Sequence, residues 1–194
     1  MSQGEKRNYH HGDLRSALVQ AGLKLLEESH GVGLREVARA VGVSATAVYR
    51  HFPDKAALLR ALATEGLDRL AASQQDSFES AGGGKDGFAA TGHAYVRFAL
   101  DNPALFRLIF ANPPAPDAAA GFDREAPEAF RMLLANAALL APPDADQGAL
   151  RLIALGAWAQ VHGLAMLMLD GQIPRDPKLV ETLVGPGPAG PRDC

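Results

Sequence analysis

The chain has 194 residues, 47% of them hydrophobic and 21% charged, which is enough apolar material for one large or two modest globular domains. Its one cysteine, Cys194, is the last residue, which excludes an internal disulfide framework and leaves no base placed beside a thiol nucleophile. The formal charge is −3, yet residues 1–60 hold nine Lys/Arg against six Asp/Glu, a balance of +3, and the remainder carries −6. A positive N-terminal part on an acidic body fits a reader of nucleic acid better than the net figure does.

The opening residues, MSQGEKRNYHHGD, contain no apolar run of the signal-peptide kind, so a cytoplasmic protein is expected. Residues 1–9, with Lys6 and Arg7, read as a flexible basic arm, either solvated or in contact with phosphate or a minor groove. His10 and His11 are adjacent, whereas helical metal ligands stand three or four residues apart, so no metal and no cofactor are expected. A helix follows from about Gly12 to Ser29, with Leu14, Ala17, Leu18, Ala21, Leu25 and Leu26 as its expected buried stripe and Gly31 as its stop.

Between Gly33 and Lys55 the pattern becomes specific. Leu34, Val37, Ala38 and Val41 recur at helical spacing, Gly42 stands where the chain must turn, and Ser44 is placed to cap a second short helix, about Ala45 to His51. That helix turns Val48 and Phe52 inward and Ala45, Thr46, Tyr49 and Arg50 outward. Two short helices around a glycine turn are a helix-turn-helix pattern, whose second helix can enter a major groove; an ordinary helical hairpin is the alternative. Thr46 can meet a base edge or a thymine methyl, and Arg50 a guanine or a phosphate. Asp54 is placed to cap a third helix, whose first-turn amides and Lys55 together make a phosphate clamp. The candidate DNA-binding residues are Arg35, Ser44, Ala45, Thr46, Tyr49, Arg50, His51 and Lys55.

The stretch GVSATAVYRHFPDKAALLRAL resembles the DNA-binding domain of the tetracycline-repressor (TetR) family of bacterial regulators, and YHHGDLRSALVQAGLKLLEESHGVGLREVARAVGVS upstream is similar in the same register. The resemblance covers roughly residues 9 to 70. The sequence departs from it at Gly33, where the family often has a capping Ser or Thr; Glu36 at N3 keeps one half of a capping box.

Beyond Asp54 a long helix is expected to about Phe78, carrying Leu58, Leu59, Leu62, Leu67 and Leu70 out of the DNA-binding bundle into the body. Gly82-Gly83-Gly84 breaks it, and the domain boundary is placed along this connecting helix near residue 80. Further helices are expected at about Gly87–Asp101, from Pro103 at N1, at about Asp123–Ala141 and at about Asp146–Leu169, with a short one near Lys178–Val184. Asn112 to Ala120 reads as a loop.

The segment Leu152–Leu169 carries no Asp, Glu, Lys or Arg and is long enough to raise a transmembrane reading. Gln160 and His162 at its centre argue instead for a helix buried in its own domain on one side and in a partner subunit on another, so no membrane association is expected. Within it, Trp158-Ala-Gln-Val-His162-Gly163 resembles the Trp…His-Gly signature of one class of TetR-type C-terminal domain. The resemblance implies a ligand cavity among the last four long helices, with Tyr95, Phe98, Phe106, Phe110, Phe130, Trp158 and His162 as effector-pocket residues. His93, Gln160 and Arg97 are further polar candidates; core packing and structural hydrogen bonds are the alternative for all of them.

The expected fold is all-α: an N-terminal three-helix helix-turn-helix domain joined by a connecting helix to a C-terminal ligand-binding and dimerisation domain. The divisions are 1–9 (arm), 10–56 (DNA-binding), 57–184 (effector-binding and dimerisation) and 185–194 (disordered Gly/Pro tail). Expected partners are double-stranded operator DNA, a second copy of the chain and a small-molecule effector. The function this implies is a transcriptional repressor released by its effector; a helix-turn-helix regulator without an effector is the alternative. No HExxH, GxSxG or P-loop occurs, so an enzyme is not expected.

Overall fold

Side-chain caps mark where four of the helices start. In the computed structural model, which describes residues 11–28, 32–112 and 128–185, nine helices and no strand are present among the described residues. The basic arm, residues 113–120 of the expected loop and the Gly/Pro tail beyond Gly185 lie outside them. Helix α1 (His11–Glu27) buries Leu18, Val19, Gly22 and Leu23. This face is rotated from the expected stripe, whose Leu14, Ala17, Ala21, Leu25 and Leu26 are only half-buried. Gly22 explains the rotation, because a Cβ there would stand 2.9 Å from Leu62 Cδ2, so the bare backbone is what admits the next layer.

Helix α2 (Leu34–Val41) buries Leu34, Val37 and Ala38. Gly33 supplies no side-chain cap, and the Glu36 carboxylate lies over it instead. At the far end Gly42 adopts φ 77°, and the amides of Gly42 and Val43 both donate to the Ala38 carbonyl at 2.9 and 3.0 Å. Ser44 Oγ then accepts from the Ala47 amide (3.2 Å) and starts α3 (Ala45–Tyr49). This helix ends two residues before the expected His51. The His51 and Phe52 amides both fold back onto the Val48 carbonyl, and Pro53 disfavours helical backbone at Phe52. Val48 and Phe52 are fully buried.

Helix α4 (Lys55–Ser80) is capped by Asp54 Oδ1, which accepts from the Ala57 amide at 2.7 Å. Its 26 residues span about 39 Å. Leu58 and Leu62 pack in the same core as Leu18, Val37, Val48 and Phe52, while Leu67 and Leu70 pack with the helices that follow. The core is therefore continuous along α4. Gln20 accepts from Arg69 (2.6 Å) and donates to Glu65 (3.1 Å), tying α1 to the middle of α4.

Gly82, Gly83 and Gly84 all have positive φ, a turn that folds α5 (Gly84–Asp101) back along α4. The turn thus joins two packed helices of one body. Helix α6 (Pro103–Ala111) sits on α4 at Gly66, where a Cβ would stand 2.8 Å from Leu105 and 2.9 Å from Ile109, and it also touches α1. Helix α7 (Glu128–Ala137) stops short of the expected Ala141, because the amides of Leu139, Leu140 and Ala141 close tight turns onto carbonyls three residues back. Helix α8 (Gln147–Leu169), capped by Asp146, packs on α5 and α7. By length and composition it could cross a membrane. Helix α9 (Pro177–Val184) packs against α5, with Val184 resting on Gly92 in the middle of that helix.

Candidate nucleic-acid interface and internal cavity

Two surfaces of this bundle have chemistry to offer. The first is the outer side of α2, α3 and the start of α4. Arg35, Ser44, Thr46, Tyr49, Arg50 and Lys55 are exposed there, Tyr49 at 49%, while Ala45 and His51 are half-buried. No salt bridge among the described residues engages Arg35, Arg39, Arg50 or Lys55. Unpaired guanidinium and ammonium groups on one face are held ready for an external anion. Thr46 on α3 and Arg50 at its C-cap are presented by a helix whose inward residue, Val48, anchors it in the core. Lys55 sits in the first turn of α4, where free backbone amides add to its charge. Arg15 is committed elsewhere: its guanidinium lies 5.3 Å from the Phe52 ring centroid and covers that ring from the α1 side.

The second is a partly open cavity of about 310 Å³ lined by α4, α5, α6, α7, α8 and α9. Of the residues expected to line it, Tyr95, Phe110, Phe130 and Trp158 do so. Phe98 and Phe106 do not. Both are buried in the core, Phe106 edge-on to Tyr95 at 5.5 Å between centroids and to Phe110 at 4.9 Å. His162 stands behind the wall. Leu67, Leu70, Gln74, Lys85, Phe88, Thr91 and Val161 also line the cavity and were not foreseen. Gln160 does too, but its Nε2 donates to the Leu183 carbonyl of α9. Arg97 turns away to Ser77 (3.3 Å). His93 does not line the cavity, and its buried Nε2 has no hydrogen-bond partner.

Two side chains of the wall and one behind it form one hydrogen-bonded chain. Trp158 Nε1 donates to the Tyr95 hydroxyl (3.1 Å), which stands 2.8 Å from His162 Nδ1. We assign the phenol as the donor to Nδ1, which makes His162 the neutral tautomer protonated at Nε2. Burial pushes the His162 pKa below its ordinary value, in agreement with a neutral ring. Burial likewise pushes the Tyr95 phenol well above its own, against a smaller opposing effect of the Trp158 hydrogen bond. The chain fixes Trp158, whose other contacts are edge-on to Phe130 at 4.9 Å and tilted to Phe110 at 6.3 Å. Among the described residues no group of His, Cys, Asp and Glu could hold a metal ion.

Comparison with known proteins adds the following. Residues 18–62 match the family described as bacterial regulatory proteins, tetR family, and residues 88–185 match the tetracyclin repressor-like C-terminal domain. A structure from Rhodococcus sp. RHA1, of a protein with unknown function, is 34% identical over 92% of this chain and 93% of that one, with a TM-score of 0.67. A TetR transcriptional regulator from the same organism is 21% identical over 90% and 94% (TM-score 0.58). The multidrug binding protein EbrR, solved with imidazole, is 20% identical over 91% and 97% (TM-score 0.52). No curated protein matches the sequence.

Proposed function

Because this chain belongs to the TetR family and is a DNA-binding transcriptional regulator, we propose that it is a repressor that binds a palindromic operator as a homodimer and is released by a small molecule held in the internal cavity. One observation carries the reading. A single helix, α4, has Lys55 in its first turn on the cationic face and Leu67, Leu70 and Gln74 in the cavity wall. Twelve to nineteen residues separate them, about 18–28 Å along a stiff rod.

In this reading Thr46 and Arg50 face the groove, Tyr49 and Lys55 hold phosphates, and Arg35, Ser44, Ala45 and His51 complete the contact. The second copy docks on α8. Leu152, Leu155 and Leu167 are exposed at 71%, 44% and 46%, and with Gly156, Ala159 and Gly163 they form one stripe of that helix. Nothing lies within 4 Å of where a Cβ on Gly156 or Gly163 would be, so a partner helix has open access to the backbone there. A two-fold axis through this stripe repeats the recognition helix, hence the palindrome.

Release follows from the same geometry. A ligand against Phe110 bears on α6, which is seated on Gly66 of α4 and touches α1, so both helices carrying the DNA-binding unit feel the cavity. The test is selection of genomic fragments by the purified protein, which yields the operator and its neighbouring genes. A palindromic motif supports the reading; fragments enriched without a common motif overturn it. EbrR, named as a multidrug binding protein, is a precedent for a ligand in this fold.

A further inference from the structure

We propose that the cavity takes an aromatic monocarboxylate, its ring among Phe110, Phe130 and Trp158 and its carboxylate at the mouth beside Lys85. The inference rests on the effector-cavity reading above and names the class of molecule that fits it. At about 310 Å³ the space lies at the small end of ligand sites, which run from roughly 300 to 1,000 Å³, so the occupant is compact. Phe110, Phe130 and Trp158 stand at tilted and edge-on angles that present both ring faces and ring edges, the surroundings a flat aromatic body prefers.

The polar groups of the wall decide the charge. Thr91 Oγ1 donates to the Phe88 carbonyl (2.7 Å), Gln74 Nε2 to the Thr91 carbonyl (3.3 Å) and Gln160 Nε2 to the Leu183 carbonyl. Trp158 donates to Tyr95, and Tyr95 to His162. The hydroxyl and indole donors of the wall are therefore engaged, and each glutamine keeps one amide N–H and its amide oxygen, neutral groups that set no preference of charge. The ammonium of Lys85 is different. It is exposed at the rim, and no ion pair or hydrogen bond engages it. It lies in the first turn of α5, whose preceding Gly83 offers no side-chain cap, so the free amides there favour an anion as well. No Asp or Glu is among the described lining residues, so a lipophilic cation finds no counter-charge among them. One cation at the mouth of a space whose other described polar groups are neutral selects one anionic group attached to an apolar body.

Three molecules of nearly equal shape separate the charges: cinnamate, cinnamamide and cinnamylamine. Each is titrated calorimetrically into the full-length protein, with quenching of the single tryptophan, Trp158, reporting occupancy of the cavity. Cinnamate should bind about tenfold more tightly than the amide, the scale of one charge-assisted hydrogen bond, and the amine should bind more weakly than both. Lys85→Gln should lower cinnamate to the level of the amide and leave the amide unchanged, which also shows that the variant is folded. Amide or amine binding as tightly as the acid, an unchanged cinnamate affinity in Lys85→Gln, or no binding by any of the three at millimolar concentration would each overturn the proposal. Release from selected operator DNA is measured in parallel. Cinnamate that binds with this charge preference yet leaves DNA binding unchanged upholds the ligand class and rejects the release reading.

Discussion

The hydroxyl of Tyr95 connects the indole of Trp158 to a neutral His162, and that makes the cavity wall sensitive to acid. An imidazolium has no lone pair on Nδ1, so protonation removes the acceptor and leaves the phenol proton facing a positive ring. In the unfolded chain His162 titrates near its ordinary value of about 6.5, and in the folded chain burial lowers it. The contribution to stability is therefore complete above the unfolded value and is lost as pH falls through the folded one, since the unfolded chain binds the proton first. Thermal unfolding followed by Trp158 fluorescence should show melting temperature falling below neutrality, and His162→Asn should flatten that part of the profile. Tyr95→Phe leaves the indole N–H without its acceptor and should cost about 1–3 kcal/mol in denaturant unfolding. On the other face, Lys55→Ala should weaken all DNA sequences alike and reduce the logarithmic salt slope by about 0.9 for one lost phosphate contact. Thr46→Ala should instead relax preference at one base pair in each half-site. The geometry of the proposed DNA face was legible in sequence because its determinants are local: Gly42, Ser44 and Asp54 act on backbone groups within four residues of themselves. The cavity was legible only in part. Phe98 and Phe106 share helices with Tyr95 and Phe110, and only packing decides which side of each helix meets the space. Lys85 gave no signal, since a lysine in the polar first turn of a helix reads as solvated.

At the scale of elements, the helices that matched expectation are those bounded by a cap, a proline or a glycine turn. Those that shifted are bounded by tertiary contacts or by competing turns. Helix α1 is rotated by the close approach at Gly22, α3 is cut short by bonding back to Val48, and α7 gives way to tight turns before Pro142. Helix α8 is the informative case. Its largely apolar sequence conceals two faces: Ala154, Val161, Leu164, Ala165 and Met168 are buried in the monomer, while Leu152, Leu155 and Leu167 are exposed. A helix apolar on both sides is accounted for when a second copy covers the outer one. Leu155→Glu puts a charge at the centre of that stripe and touches nothing in the monomer core. Sedimentation should show wild-type dimer and mutant monomer at micromolar concentration, with helical content unchanged by circular dichroism. Operator affinity should fall with it, because one half-site cannot supply the contacts of two. A wild-type chain that is strictly monomeric at that concentration would remove both the interface and the palindrome from the reading.

At the scale of the whole molecule the proposed function is a coupling between two sites, and coupling has a required symmetry. The routes are physical: α4 runs from the cationic face to the cavity wall, α6 bridges Phe110 to Gly66 and α1, and Gln20 ties α1 to Arg69 and Glu65. A ligand displaces the two recognition helices only if it binds better to the arrangement that does not fit DNA. Half-sites about one helical turn, roughly 34 Å, apart tolerate little error, so a change of a few ångströms disengages one head. Typical coupling of about 1–3 kcal/mol corresponds to roughly 5- to 150-fold weaker DNA binding with ligand present. Linkage then demands that operator DNA weaken the ligand by the same factor. Calorimetric titration of ligand into free protein and into the protein–operator complex measures that factor directly, and fluorescence anisotropy of labelled operator with and without ligand measures its mirror. The two should agree. Phe110→Ala removes the side chain through which the cavity bears on α6, so it should shrink both factors together while DNA affinity without ligand stays near wild type. Equal ligand affinities with and without operator would reject the switch and leave a regulator whose occupancy of DNA is set by other means.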